Sequence, residues 1–178
     1  MKRTLELLAI VSIGMIAACA HAPTKPGERA DLVSDARRTL ARMEAKDPGL
    51  PSVLDHAVGY IVFPSVGAGG LLVGGGAGAG VVYEHGHRTG FATIEHLGVG
   101  AIAGGQQFSE LVVVNDPAAL EQLKSGRFDF GAHASAVIVR SGVARTSTFE
   151  NGVAVFVDPL RGAMVNASLG GQRIRLTM

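Results

Sequence analysis

The spacing of apolar residues changes character at residue 59. Before it, Val33, Ala36, Leu40 and Met43 recur at intervals of three, four and three. That spacing puts them on one face of a helix, with Arg37, Arg38, Arg42 and Lys46 off it. An amphipathic helix is expected over 29–46. Asp47-Pro48-Gly49 should end it, because the residue before proline avoids helical geometry and glycine tolerates the turn. A short second helix is expected over 52–57, with Leu54, Ala57 and Val58 turned inward.

From Gly59 onwards the pattern is that of strands. Tyr60-Ile61-Val62-Phe63 is a strand run that Pro64 should stop. Gly80 to Glu84 and Thr89 to Ile94 flank His85-Gly86-His87 and predict a hairpin. Further strands are expected at 111–114, around Phe128 and Phe130, at 136–139, at 153–157 and around Ile174. One helix interrupts them: Asn115-Asp116 offers a cap, Pro117 suits the first helical position and Gly126 stops it. The sum is an α+β chain: a mainly antiparallel, strongly curved β-sheet or barrel-like core, an N-terminal amphipathic helix and one or two short helices.

The stretch from Ala57 to Tyr83 has no charged residue, and Gly70, Gly74 and Gly78 repeat at the spacing by which membrane helices approach one another. Pro64 and the density of glycines oppose a helix, since each interior glycine costs about 1 kcal/mol relative to alanine. A buried, curved strand is the expected form. Gly74, Gly76 and Ala79 also match a dinucleotide fingerprint, but a hairpin follows them where that motif needs a helix, so no cofactor is expected.

Composition narrows the function classes. Among 178 residues, 16 Lys+Arg balance 15 Asp+Glu, a formal charge of +1 without a basic run. Nucleic-acid binding loses its electrostatic source, and none is expected. Glycine is abundant (25 residues) and cysteine occurs once, so neither an internal disulfide nor a cysteine-based zinc cluster can hold the fold.

That one cysteine has another use. Lys2 and Arg3 precede an apolar stretch from Leu7 to Ile16, too short to span a bilayer, and then Ile16-Ala17-Ala18-Cys19. The first 18 residues are expected to be an export signal. The Ile-Ala-Ala-Cys arrangement resembles the lipobox of bacterial lipoproteins, which implies that Cys19 is acylated and becomes the new N-terminus; the alternative is an ordinary signal peptide cut nearby. Since Ala20 follows Cys19 where an inner-membrane retention signal carries Asp, that resemblance implies the periplasmic face of the outer membrane. Residues 19–28, with two prolines, read as an acylated tether, and 29–178 as one domain.

Catalytic chemistry finds no footing. His85, His87, Glu84, Glu95 and His96 offer nitrogen and oxygen donors for a metal on the hairpin, but HxH alone fixes no geometry and a polar hairpin tip accounts for it. His56 and His133 are isolated, and there is no nucleophile elbow or phosphate loop. No catalytic residue and no metal is expected.

Four separated blocks carry a family resemblance. They are Gly59 to Val66 with Gly69 to Val82, Leu97 to Gly105-Gln106, Leu111 to Asn115, and Gly162 to Gly171. Their order and spacing resemble the SYLF domain over roughly 35–176. The resemblance implies a non-enzymatic domain that binds membrane lipids, and an exported, often lipid-anchored, bacterial protein. In eukaryotic members of that family a basic helix near the domain's start contributes to membrane contact; the matching positions are Arg37, Arg38, Arg42 and Lys46, interleaved here with Asp31, Asp35, Glu44 and Asp47. Arg173 and Arg175, expected on one face of the last strand, join them as lipid-headgroup candidates. The expected partners are membrane phospholipids. The alternative is a structural, glycine-rich envelope protein that self-associates or packs on a partner protein.

Overall fold

The structure, a computed structural model, describes residues 22–126, 129–130 and 149–178. Cys19, the expected export signal and the expected strand at 136–139 lie outside the described residues. The chain is α+β, built on one curved, unclosed antiparallel sheet.

Helix α1 spans Pro26–Lys46, starting three residues before the expected boundary because Pro26 takes a first-turn position that needs no N–H donor. It stops where Pro48 requires: Asp47 is extended, with φ −129° and ψ 94°, although its N–H still donates to Met43 O at 2.9 Å. Asp47 Oδ1 then accepts from Gly49 N at 2.9 Å, and helix α2, Leu50–Asp55, follows at once. Strand β1 runs Gly59–Glu84 and β2 runs His87–Val114. Helix α3, Pro117–Lys124, begins where Asp116 Oδ1 accepts from Ala118 N at 3.0 Å. The two-residue β3, Asp129–Phe130, and β4, Val153–Thr177, complete the chain. The sheet order is β1-β2-β4-β3, every pair antiparallel.

Six of the expected short strands are thus parts of three very long ones, and Pro64 does not stop β1. The pairing steps from Phe63↔Glu110 to Val66↔Phe108, so three steps along β1 oppose two along β2. Proline, with no N–H to offer, is tolerated in such a bulge. Its carbonyl accepts from Ser109 Oγ at 2.7 Å.

The two turns of the described sheet share one chemistry. His85 (φ 48°) and Gly86 (φ 78°) link β1 to β2, and Asn151 (φ 51°) and Gly152 (φ 79°) lead into β4. Two successive positive φ values give the turn whose twist matches a β-hairpin.

The glycine-rich part of β1 makes the strand double back on itself. A Cβ on Gly76 would stand 2.9 Å from Gly67 O, one on Gly78 2.8 Å from Ser65 O, and one on Gly80 2.6 Å from the Phe63 ring. The first and second limbs of β1 therefore touch backbone to backbone, a contact only glycine allows. Because β2 and β4 follow β1 in register, the whole sheet rolls around one interior. Ile61, Phe63, Val66, Val82, Ala92, Ile94, Val112, Val155 and Ile174 fill it, and Ala119, Leu120 and Leu123 of α3 join that cluster. The outer face over both limbs carries Val62, Val81, Tyr83, Phe91, Leu111 and Phe156, packed with Ala36 and Met43 of α1 and Leu50 of α2. In α2 only Leu50 is fully buried; Leu54 and Ala57 pack partly on the outer cluster and Val58 on the inner one. Among the described residues, no helix is long and apolar enough to cross a membrane.

Candidate functional site

The six cations singled out from the sequence have different surroundings. Arg42 and Lys46 converge on one carboxylate: Arg42 Nε lies 3.0 Å from Asp158 Oδ2 and Lys46 Nζ 2.6 Å from Asp158 Oδ1. Arg42 also donates to Ser109 Oγ at 2.8 Å. These bonds fasten the C-terminal half of α1 to β2 and β4. Asp158 is only 8% exposed; burial pushes its carboxyl pKa up, but the bonds from Lys46 and Arg42 outweigh that and hold it below the ordinary value of 3.8.

Arg38 is exposed and pairs with Asp35 one helical turn back, also donating to Ser34 Oγ at 2.9 Å. Arg173 and Arg175 flank buried Ile174 on β4 and both face solvent, the shared face expected of them. Arg175 donates to Glu95 Oε1 at 2.6 Å. Arg37 is exposed and sits beside the Tyr83 hydroxyl. Burial raises the Tyr83 pKa, and both Arg37 and Arg88 pull it the other way.

Two cations that helical spacing did not single out belong to the same neighbourhood as Arg37. The guanidinium carbons of Arg29 and Arg88 lie 5.4 and 5.6 Å from the centroid of one ring, Phe91. Tyr83 and Phe91 sit on adjacent strands, on the outer face that α1 covers, and Tyr83 stacks on Tyr60 at 4.8 Å. The acids nearby are occupied: Glu28 pairs with Lys25 at 3.2 Å, Asp35 with Arg38, and Glu84 with Lys124 at 2.7 Å. Among the described residues, no carboxylate lies within ion-pair distance of Arg29, Arg37 or Arg88. The signal in the sequence was the Arg88-x-x-Phe91 spacing after a hairpin turn; its meeting with Arg29 depends on how α1 lies across the sheet.

A buried polar cluster occupies the interior. Glu110, 1% exposed, accepts from Gln172 Nε2, and His96 Nε2 stands 3.3 Å from its other oxygen while the imidazole and Phe108 rings meet in a T at 5.7 Å. This is where His96 goes, rather than to His85 and His87: it pairs across from Gly76, far along the ladder from the Glu84↔His87 end. No group of three or more potential metal ligands converges among the described residues.

A scan against models of known protein families finds no match, and a search of curated proteins finds no similar chain.

Proposed function

We propose that the protein is a non-enzymatic, phospholipid-binding lipoprotein of the bacterial envelope, anchored through Cys19 at the periplasmic face of the outer membrane. The observation that carries this reading is α1. It follows the Ile-Ala-Ala-Cys motif by only a short tether, buries its apolar edge on the sheet and leaves Arg37 and Arg38 exposed. The resemblance of the four glycine and aliphatic blocks to the SYLF domain supports the same reading. Acyl chains on Cys19 would supply about 0.8 kcal/mol per buried methylene. The domain would add headgroup contacts from exposed cations, each contributing about 1 kcal/mol near an anionic surface. Arg37 suits that role, whereas Arg38 and Arg175 are each engaged by a carboxylate and Arg42 and Lys46 serve first to hold α1 on the sheet.

The alternative, self-association through the glycine-rich segment, is weakened by what those glycines already do: Gly76, Gly78 and Gly80 receive the other limb of their own strand.

The anchoring half of the proposal is tested by Cys19→Ser in the intact precursor. The wild-type protein should fractionate with outer membranes and carry the mass of a diacylglyceryl group on its first residue. The variant should lose that mass and be released by high salt. A wild-type chain cut elsewhere and lacking lipid would refute the anchor.

A further inference from the structure

We infer that Arg29, Arg37 and Arg88, arranged over Phe91 and Tyr83, form the site at which the protein contacts phospholipid phosphates, and that this end of the domain faces the membrane. The inference rests on the lipid-binding reading above and locates it. Three observations carry it.

The first is charge without compensation. Arg29 and Arg88 share one aromatic ring at 5.4 and 5.6 Å, and Arg37 and Arg88 share one phenol. Guanidiniums repel one another, and a fold normally brings an acid between them; here Glu28, Asp35 and Glu84 are each engaged by Lys25, Arg38 and Lys124 instead. Asp31, two residues from Arg29, points to another side of the helix. An anion from outside completes the group, and planar guanidiniums suit phosphate oxygens in two-point contacts.

The second is stiffness. Arg29 and Arg88 rest on Phe91 and Arg37 bonds the Tyr83 hydroxyl, an arrangement that orients the guanidiniums and reduces the freedom lost when an anion arrives. Tyr83 is 9% and Phe91 6% exposed, so both rings are fixed in the outer core.

The third is the chain that leads to the site. Arg29 Nε donates to Pro23 O at 3.0 Å, which ties the start of the described chain to the cluster. Cys19 is four residues before Pro23. Four residues reach at most about 14 Å, so acyl chains on Cys19 would bring the bilayer surface to the Arg29 end of α1 and not to the Lys46 end. Contacts that are weak alone become effective when a tether holds the site at the surface.

The test uses the chain beginning at Ala20, which keeps every described residue and lacks the anchor. Its partition onto vesicles of phosphatidylethanolamine and phosphatidylglycerol at low salt is compared among wild type, R29Q/R37Q/R88Q and the charge-matched R161Q/R173Q/R175Q, with thermal unfolding run alongside. The first triple should lose on the order of 100-fold in partition and the second less than about fivefold. Arg88→Gln alone, at an exposed hairpin position, keeps the test open if the triple is unstable, with an expected loss of about fivefold. Inorganic phosphate at matched ionic strength should displace little wild-type protein; full displacement would make this a site for free phosphate and overturn the membrane assignment. Equal losses in the two triples would show a general charge effect and overturn the site while sparing lipid binding. A wild-type chain that ignores the vesicles would overturn the lipid-binding reading and this site with it.

Discussion

Gly80→Ala is expected to destabilise the domain by about 3 kcal/mol, at the upper end of the usual cost of overpacking. The new methyl would stand 2.6 and 2.8 Å from two atoms of the Phe63 ring and 2.8 Å from Val62 O. Neither neighbour can give way cheaply. Phe63 is fully buried in the interior, and Val62 O belongs to the backbone of the opposing limb. For a chain of this size the loss amounts to a fall of about 10 °C in melting temperature. Gly67→Ala is the control, because nothing lies within 4 Å of its added carbon, and it should shift stability by less than about 0.5 kcal/mol. Urea unfolding of both variants and of Gly80→Ala/Phe63→Leu measures the effect. The double variant should be more stable than the sum of its parts predicts by about 1 kcal/mol, since the smaller side chain vacates the space the methyl needs. Additive costs, or a Gly80→Ala protein as stable as wild type, would mean that the two limbs of β1 do not meet.

The second large effect belongs to Asp158. Removing its charge with Asp158→Asn leaves Arg42 and Lys46 side by side with one neutral acceptor. The expected loss at pH 7 is about 2 kcal/mol, in the range for hydrogen bonds to charged groups, with Arg42 and Lys46 38% and 44% exposed and so partly screened. The pH dependence has a defined sign. The folded-state pKa of Asp158 is depressed below 3.8, so its contribution is complete well above that value. It declines as the pH falls below 3.8 and through the folded-state pKa. Wild type and Asp158→Asn should therefore differ most near neutral pH and converge toward pH 2 to 3 in urea unfolding. A difference independent of pH would remove the ion pair as the cause.

Much of the fold was legible in the residues because local chemistry decided it. The stripe of Val33, Ala36, Leu40 and Met43 is the stripe α1 lays on the sheet, with Ala36 and Met43 fully covered. Asp116-Pro117 opens α3 as capping chemistry requires. His85-Gly86 sits in the expected hairpin turn, and Asn151-Gly152, an equally strong hairpin dipeptide, was there to be read as the entry to β4. The lengths of the strands were not legible. Pro64 locally reads as a break yet sits in a bulge, and the glycines of 67–80, which read as a buried, curved strand and form one, did not show that they join the runs on either side into one 26-residue strand. The reason is tertiary: a glycine tolerated in a strand looks the same in sequence as one that ends it.

The site divides along the same line. Arg37, Arg38, Arg42 and Lys46 were visible as cations off the apolar face of a helix, but periodicity does not say which of them finds a carboxylate across the sheet. Asp158 lies 116 residues from Arg42 and 112 from Lys46, a pairing made by topology alone. Arg29 and Arg88 meet over Phe91 for the same kind of reason. The interior cluster of His96, Glu110 and Gln172 was equally hidden, since each residue taken alone looks like a polar position on an exposed strand face.

On the proposed reading the folded domain takes hold of phospholipid by itself, without the proposed anchor. Flotation of the chain starting at Ala20 with vesicles of phosphatidylethanolamine and phosphatidylglycerol tests it most directly, against vesicles of phosphatidylcholine alone and over a rise in salt. The protein should float with the anionic vesicles at low salt and be progressively released as salt screens its arginines. A folded protein that stays at the bottom of the gradient with both vesicle types at low salt would contradict it.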